Sequence, residues 1–303
     1  MTPNPPPEPI VFDRLPSLLS QYGRAVLRLR RPGLSPELPR LSARVADVVT
    51  PAERLSAYRV VCGLPAGPCL PPTWPQVLAA PLHAAILAHE QFPFAALGLV
   101  HTASRIEQSR PVEADAPLSL HAAVEQLRPA RQGFEFDLVT DAEVGGERVW
   151  SSVTTILART LPKAPKEEKR RDSSPPGEGP RAVRSVVWQV PADQGRRYAA
   201  VSGDYNPIHL SRPSAMAFGF PRAVAHGMWT LARAVAELDV PVVDALAIDA
   251  QFRRPVLLPS ALLFQAYARE GGLDFAVRTA DGTHAHLVGH CVTSVAASRG
   301  TGS

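Results

Sequence analysis

The sequence predicts an α+β fold of two tandem modules, each an antiparallel sheet wrapped around one central helix. Three observations carry this: an internal repeat, the same order of helix and strand signals in both halves, and a stretch between them too polar for a core. The repeat pairs TPAERLSAYRVVCG at Thr50 to Gly63 with VPADQGRRYAAVSG at Val190 to Gly203, without gaps and at an offset of 140 residues. Pro51 matches Pro191, Tyr58 matches Tyr198 and Gly63 matches Gly203, and downstream Arg110-Pro111-Val112 answers Arg254-Pro255-Val256. Each half then ends in two strand-like segments across a turn. These are Phe134 to Asp141 with Arg148 to Leu157 around Gly145-Gly146, and Leu273 to Thr279 with His284 to Val295 around Asp281-Gly282. Asp-Gly between alternating runs is a strong hairpin signal.

Taken in order, the Pro-rich residues Met1 to Pro9 read as a loosely held arm, and the helical spacing of Leu15, Leu18, Leu19, Tyr22, Val26 and Leu29 predicts a short helix packed on the first module. The central helices are expected at Trp74 to Glu90 and Ala225 to Leu238, the first kinked or starting late because Pro81 lies inside it. An apolar helix flanked by alternating strands buries the sheet's apolar face, giving the order each half shows. The segment PKAPKEEKRRDSSPPGEGPR is dense in Pro, Gly and charge and reads as a linker. Its Lys166, Lys169, Arg170 and Arg171 are interleaved with Glu167, Glu168 and Asp172, the pattern of a solvated segment rather than a nucleic-acid patch. The resulting organisation is an arm and helix at 1–34, a non-catalytic module at 35–161, a linker at 162–182 and a catalytic module at 183–298.

Composition narrows the function classes. With 303 residues, 45% hydrophobic and 20% charged, the chain has enough apolar material for two modest cores. Net charge is only +4, and no basic run is interleaved with aromatics, so no nucleic-acid partner is expected. The longest apolar run, Val77 to Ala88, falls short of the ~20 residues a membrane span needs, and MTPNPPPEPIVFD shows no basic-then-apolar leader. A cytoplasmic protein without membrane association is the expectation. Cys62, Cys69 and Cys291 are odd in number and widely spaced, which fits reduced structural thiols rather than disulfides or a zinc cluster.

Reactive side chains concentrate between Tyr198 and Leu238. Asp204 and His209 share a loop with the turn formers Gly203, Asn206 and Pro207, so a carboxylate and an imidazole can converge there. Ala225-His226-Gly227-Met228 then opens a helix-periodic apolar run through Leu231, Val235 and Leu238. The first amides of such a helix lack intrahelical partners and carry the positive end of its dipole, and Gly227 has no Cβ to keep a ligand carbonyl away. An acid/base pair would therefore face an oxyanion donor.

The stretch SGDxNPIHxxxxxAxxxGFxxxxAHGM, here Ser202, Gly203, Asp204, Asn206, Pro207, Ile208, His209, Ala215, Gly219, Phe220, Ala225, His226, Gly227 and Met228, resembles the MaoC-like (R)-specific enoyl-CoA hydratases and 3-hydroxyacyl-thioester dehydratases. The resemblance strictly covers Tyr198 to Leu238. It implies the hot-dog fold, here a double hot-dog, with Asp204 and His209 as the catalytic pair and Gly227 as the oxyanion donor. Ser202, Asn206, Gly219, Phe220, His226 and Met228 are substrate-binding or orienting positions on the same match, and Asn206 is expected to orient the loop or a water.

Each residue also has a bland reading. Asp204 after Gly203 is a common turn cap, a lone His209 is more often structural, and His226 fits a ring nitrogen bonded to backbone beside the helix start. His284, His286 and His290 alternate as in a strand and read as a solvent-facing or partly buried face, while His83, His89 and His101 read as structural. Extending the 140-residue offset beyond Gly203 sets Leu64 opposite Asp204 and Cys69 opposite His209, so one active site per chain is expected, the other module shaping the acyl cleft.

The expected activity interconverts trans-2-enoyl and (R)-3-hydroxyacyl thioesters of CoA or acyl carrier protein, in fatty-acid metabolism, with no metal and no redox cofactor. Acyl-thioester hydrolysis and non-catalytic acyl binding are the alternatives, and a monomer or a homodimer both fit two fused modules.

Overall fold

The computed structural model describes residues 8–27, 38–96, 98–159, 181–240 and 245–294. The expected arm and linker lie mostly outside them. Among the described residues no helix is long and apolar enough to cross a membrane.

Each half repeats one order of elements. The first runs β2 (Ser42–Val48), α2 (Ala52–Cys62), α3 (Trp74–Ala88), β3 (Leu99–Gln108), β4 (Leu118–Ala130), β5 (Gly133–Val144) and β6 (Glu147–Arg159), preceded by β1 (Ile10–Phe12) and α1 (Leu18–Leu27). The second runs β7 (Arg184–Val190), α4 (Gln194–Ser202), a 3₁₀ turn (Pro207–His209), α5 (Arg212–Met216), α6 (Gly227–Leu238), β8 (Ala245–Phe252), β9 (Ser260–Arg269), β10 (Gly272–Thr279) and β11 (Ala285–Ser294). All the strands form one sheet in the order β1-β2-β4-β5-β6-β3-β8-β11-β10-β9-β7. Reading outward from the β3–β8 seam gives 3-6-5-4-2 on one side and 8-11-10-9-7 on the other, so every strand has a counterpart except β1, which is added at the outer edge of β2. The modules join edge to edge in antiparallel register, with Ile106 opposite Ile248 and Ser104 opposite Ala250. This pairing closes two strand edges that would otherwise stay open.

The alternation seen in the sequence sets the layers. Leu118, Leu120, Ala122 and Val124 of β4 and Leu246, Ile248 and Ala250 of β8 point inward, onto α3 and α6. Helix α3 is buried along nearly its whole length, and it starts at Trp74 and continues through Pro81, so the expected late start is not found. Helix α6 is tied to its sheet by Glu237, 4% exposed, which accepts from Arg184 of β7 at 2.7 Å and Arg233 at 2.5 Å. Gly145 and Gly146 both take positive φ in the β5–β6 hairpin, as a primed two-residue turn requires. The β10–β11 connection is longer than a two-residue turn, with Gly282 at φ 73 and the Asp281 carboxylate accepting from Thr279 and Thr283.

The shared repeat lies at the centre. Helices α2 and α4 pack together so that Tyr58 and Tyr198, matched by the offset, place their ring centroids 6.1 Å apart. Arg54 of α2 donates to the carbonyls of Val201 (2.8 Å) and Ser202 (3.0 Å), capping the C-terminal end of α4 from the other module.

One correction concerns the offset. Cys69 bridges Glu113 and Val224 bridges Leu257, with Leu70 donating to Val112 and Ala225 to Val256. Cys69 therefore corresponds to Val224, not His209. Gly63 and Cys69 stand six positions apart but Gly203 and Val224 twenty-one, so the first module lacks fifteen residues of loop. Leu64 does follow its cap glycine as Asp204 follows Gly203, but the remainder of the reactive loop has no counterpart.

Candidate functional site

Helix α4 ends at Gly203, whose left-handed φ of 82 turns the chain sharply into the reactive loop. The loop is held by short-range bonds from its own side chains. Ser202 Oγ accepts from the Asp204 amide at 3.1 Å, Asp204 Oδ1 accepts from the Asn206 amide at 3.1 Å, and Asn206 Oδ1 caps the 3₁₀ turn by accepting from Ile208. Asn206 thus orients the loop, one of the two roles expected of it. Beneath it Gly195 is essential space, because a Cβ there would stand 1.9 Å from the His209 carbonyl oxygen, a backbone atom that cannot swing aside.

His209 is buried, and its Nδ1 donates to the Val224 carbonyl at 2.7 Å. That bond fixes the tautomer and leaves Nε2 as a lone-pair acceptor. Burial pushes the imidazole pKa down, against the attraction of Asp204, so the ring is neutral near neutrality. His226, the N-cap residue of α6, donates from Nε2 to the Asp204 carbonyl at 2.9 Å, the backbone bond expected of it. Its ring stacks on His209 with centroids 3.7 Å apart and lies 4.8 Å from the ring of Tyr198. Burial, and then neighbouring His209, lower its pKa to about 3. His226 therefore holds the backbone of one member of the pair and the ring of the other.

A carboxylate oxygen of Asp204 and ring nitrogens of His209 and His226 lie within 4.8 Å of one another. Among the described residues this is the group that could hold a metal ion. The two rings are stacked at 25°, however, so their in-plane lone pairs run side by side instead of converging on a point about 2 Å from each, as zinc requires. The same gap suits a water held between carboxylate and imidazole.

Gly227 opens α6 directly after His226. Its amide precedes the first residue that can bond within the helix, and it makes no hydrogen bond among the described residues. A Cβ on Gly227 would lie 3.1 Å from the ring of Phe252, so a side chain there would require that ring to give by a few tenths of an ångström.

The other matched positions frame this centre. Met228 packs half-buried against the core, while Gly219, exposed at φ 81, and Phe220 form the turn after α5. The histidines of β11 disperse: His286 bonds the Arg254 carbonyl and His290 the Asp274 carboxylate. The thiols of Cys62 and Cys291 are pushed up by burial to about 12 and about 11, which suits structural cysteines. Tyr198, Gly195 and Phe252 were not singled out in the sequence. The repeat marks Tyr198 and could have flagged Gly195, which faces Leu55, but nothing local marks Phe252.

A profile of the MaoC like domain matches residues 171–284. The chain is 34% identical over 257 residues to 3-hydroxyacyl-thioester dehydratase X of Mycobacterium tuberculosis, covering 83% of this chain and 89% of that one. The crystal structure of HtdX of the same organism superposes with a TM-score of 0.72 at 32% identity, over 84% of this chain and 100% of that one. A MaoC-like dehydratase from Phytophthora capsici shares the fold with a TM-score of 0.65 at 16% identity, over 86% and 98%. With its paired sheets, its central helices and this similarity along most of its length, the chain belongs to the MaoC-like family and has the double hot-dog fold.

Proposed function

We propose that the protein is a hydro-lyase that interconverts trans-2-enoyl and (R)-3-hydroxyacyl thioesters carried by CoA or acyl carrier protein, with Asp204 and His209 as the acid/base pair and Gly227 as the oxyanion donor. The observation that carries this reading is the convergence of the Asp204 carboxylate and the His209 ring within 4.8 Å, beside the unbonded first amide of α6. The similarity to a protein named as a 3-hydroxyacyl-thioester dehydratase supports the substrate class.

In the hydration direction a water sits between Asp204 and His209. As its oxygen bonds C3, the pair takes one of its protons, and the π electrons move through C2 to the thioester oxygen. The Gly227 amide, at the positive end of α6, stabilises the resulting enolate. A proton from the pair then reaches C2, so the elements of one water have been added and the enzyme is restored. Dehydration runs the same steps backward. His209, neutral with a free Nε2, is prepared to accept a proton, and Asp204 shares it; the two titrate as a unit.

The test is the loss of enoyl absorbance during hydration of crotonyl-CoA. Asp204→Asn and His209→Gln should each reduce kcat/KM by about 10²–10⁴, the usual contribution of a positioned acid or base. Full activity in Asp204→Asn would refute the mechanism, and release of free thiol in place of hydration would make the protein a hydrolase.

A further inference from the structure

One ring bounds the approach to the oxyanion donor. A Cβ on Gly227 would lie 3.1, 3.3 and 3.5 Å from three atoms of Phe252, so the edge of that ring rests directly against the start of α6. Phe252 is the last residue of β8 and is half-buried. Behind it stands His101 of the other module, ring centroids 4.6 Å apart. A bulge between His101 and Ala103 turns His101 inward, and its Nε2 is fixed by the Ala103 carbonyl at 2.9 Å.

Beyond these two rings the inward face of the seam changes size. The next pair is Ser104 opposite Ala250, both small, and the pair after that is Ile106 opposite Ile248, both 0% exposed. Successive inward pairs along a strand are about 7 Å apart. Ser104 is 2% exposed, yet its hydroxyl has no hydrogen-bond partner among the described residues, an arrangement that is costly in a core with no further use for it. The seam therefore has small side chains and an unpartnered hydroxyl just behind a ring that touches the thioester site, and a bulky floor beyond.

We infer that Phe252, backed by His101 of the non-catalytic module, sets the length of acyl chain the enzyme accepts. This rests on the assignment of Gly227 as the thioester-oxygen donor. With the oxygen on that amide, carbons past C3 that turn toward the seam meet the Phe252 ring. With the ring beside Gly227, a tail taking that direction is stopped shortly after the reacting carbons. Withdrawing the ring gives a tail the space over Ser104 and Ala250, up to Ile106 and Ile248.

The experiment compares kcat/KM for crotonyl-, octenoyl- and dodecenoyl-CoA in wild type, Phe252→Ala, Phe252→Leu and His101→Ala. Wild type should favour the shorter substrates. Phe252→Ala should raise the dodecenoyl-to-crotonyl ratio by about tenfold or more, since each methylene newly buried is worth roughly fourfold. Phe252→Leu and His101→Ala should shift the ratio the same way by less, and the leucine variant decides the matter where the alanine variant is too unstable to assay. An unchanged ratio in the folded Phe252 variants, with crotonyl-CoA still turned over, overturns this assignment alone. A wild type that hydrates none of the three overturns the reading of the site, and this inference with it.

Discussion

Comparing the two modules shows how one architecture holds the candidate reactive loop in one copy and a closed core in the other. In the second, Gly203 opens into a loop of twenty residues before the bridge at Val224, and Gly195 leaves room for that loop's backbone. In the first, the same interval after Gly63 holds only five residues, and Leu55 stands where Gly195 would be, buried in the core. The central helices differ in the same sense. His226 and Gly227 occupy the N-cap and first helical positions of α6, whereas Thr73 and Trp74 occupy them in α3. Thr73 bonds the Tyr58 hydroxyl at 2.8 Å, and the Trp74 indole, 0% exposed, donates to Thr50 Oγ1 at 2.9 Å. The difference between the modules is therefore not two substitutions at fixed positions. It is a deleted loop whose space has been repacked with apolar side chains, consistent with the cost of leaving cavities unfilled.

The largest test of this comparison is to impose the first module's packing on the second. Gly195→Ala puts a methyl against the His209 carbonyl, and the loop must move by about an ångström or more; displacements of that size cost on the order of 10² in rate. Steady-state kinetics should show the fall mainly in kcat, with melting lowered by about 1–3 kcal/mol for overpacking. Wild-type kinetics in this variant would mean that the loop does not need the gap.

A smaller difference separates the two helix starts. His226→Gln should lower kcat by roughly tenfold to a hundredfold by freeing both the Asp204 carbonyl and the His209 ring, and should shift the acid limb of the pH profile. Thr73→Val, at the N-cap of α3, should cost about 1–3 kcal/mol of stability and leave kcat/KM near wild type. Equal kinetic effects at the two positions would break the proposed asymmetry.

Protonation offers a third comparison, since each module buries a histidine. His226 is held down to about 3 and His83, bonded to Thr140 Oγ1, to about 4, chiefly by burial in both cases. Both folded values lie below the unfolded value of about 6.5, so the unfolded chain binds more protons on the acid side. Their contribution is complete above about pH 6.5 and is lost as pH falls toward about 4, by roughly 1.4 kcal/mol per unit for each ring. Denaturant melts across that interval should show the slope, and His83→Gln should remove only part of it, since burial also holds His101 down to about 4. For catalysis, the lowered pKa of His209 predicts an acid limb of kcat/KM below about pH 6.5.

The smallest kinetic effect lies where α2 meets α4. Arg54→Met leaves the Val201 and Ser202 carbonyls without their donor and should cost about 1–3 kcal/mol, read as a lower melting temperature with little change in the chain-length profile.

Much of this was legible before any coordinates. The repeat gave the paired modules, because Tyr58 and Tyr198 hold one packing position on each side of a single contact. The order of strand and helix signals gave the layers, and the turn formers around Asp204 and His209 gave the reactive loop, whose bonds all span a few residues. Pro81 does not delay the start of its helix, because a helix buried on nearly every side is held by its surroundings and tolerates one missing backbone donor. Cys69 misled: an ungapped offset carries no information about a deletion, and only the bridges to Glu113 and Leu257 reveal which residues correspond.

Local chemistry thus determined the fold class, the loop and the candidate acid/base residues, since periodicity and turn propensity act over neighbours in the chain. Tertiary structure alone decided that His226 supports both members of the pair, that Gly195 is space for His209, and that Phe252 and His101 meet beside Gly227. Those contacts join residues from different strands, helices and modules, and their distances depend on how two sheets pair edge to edge, which no short stretch of sequence records.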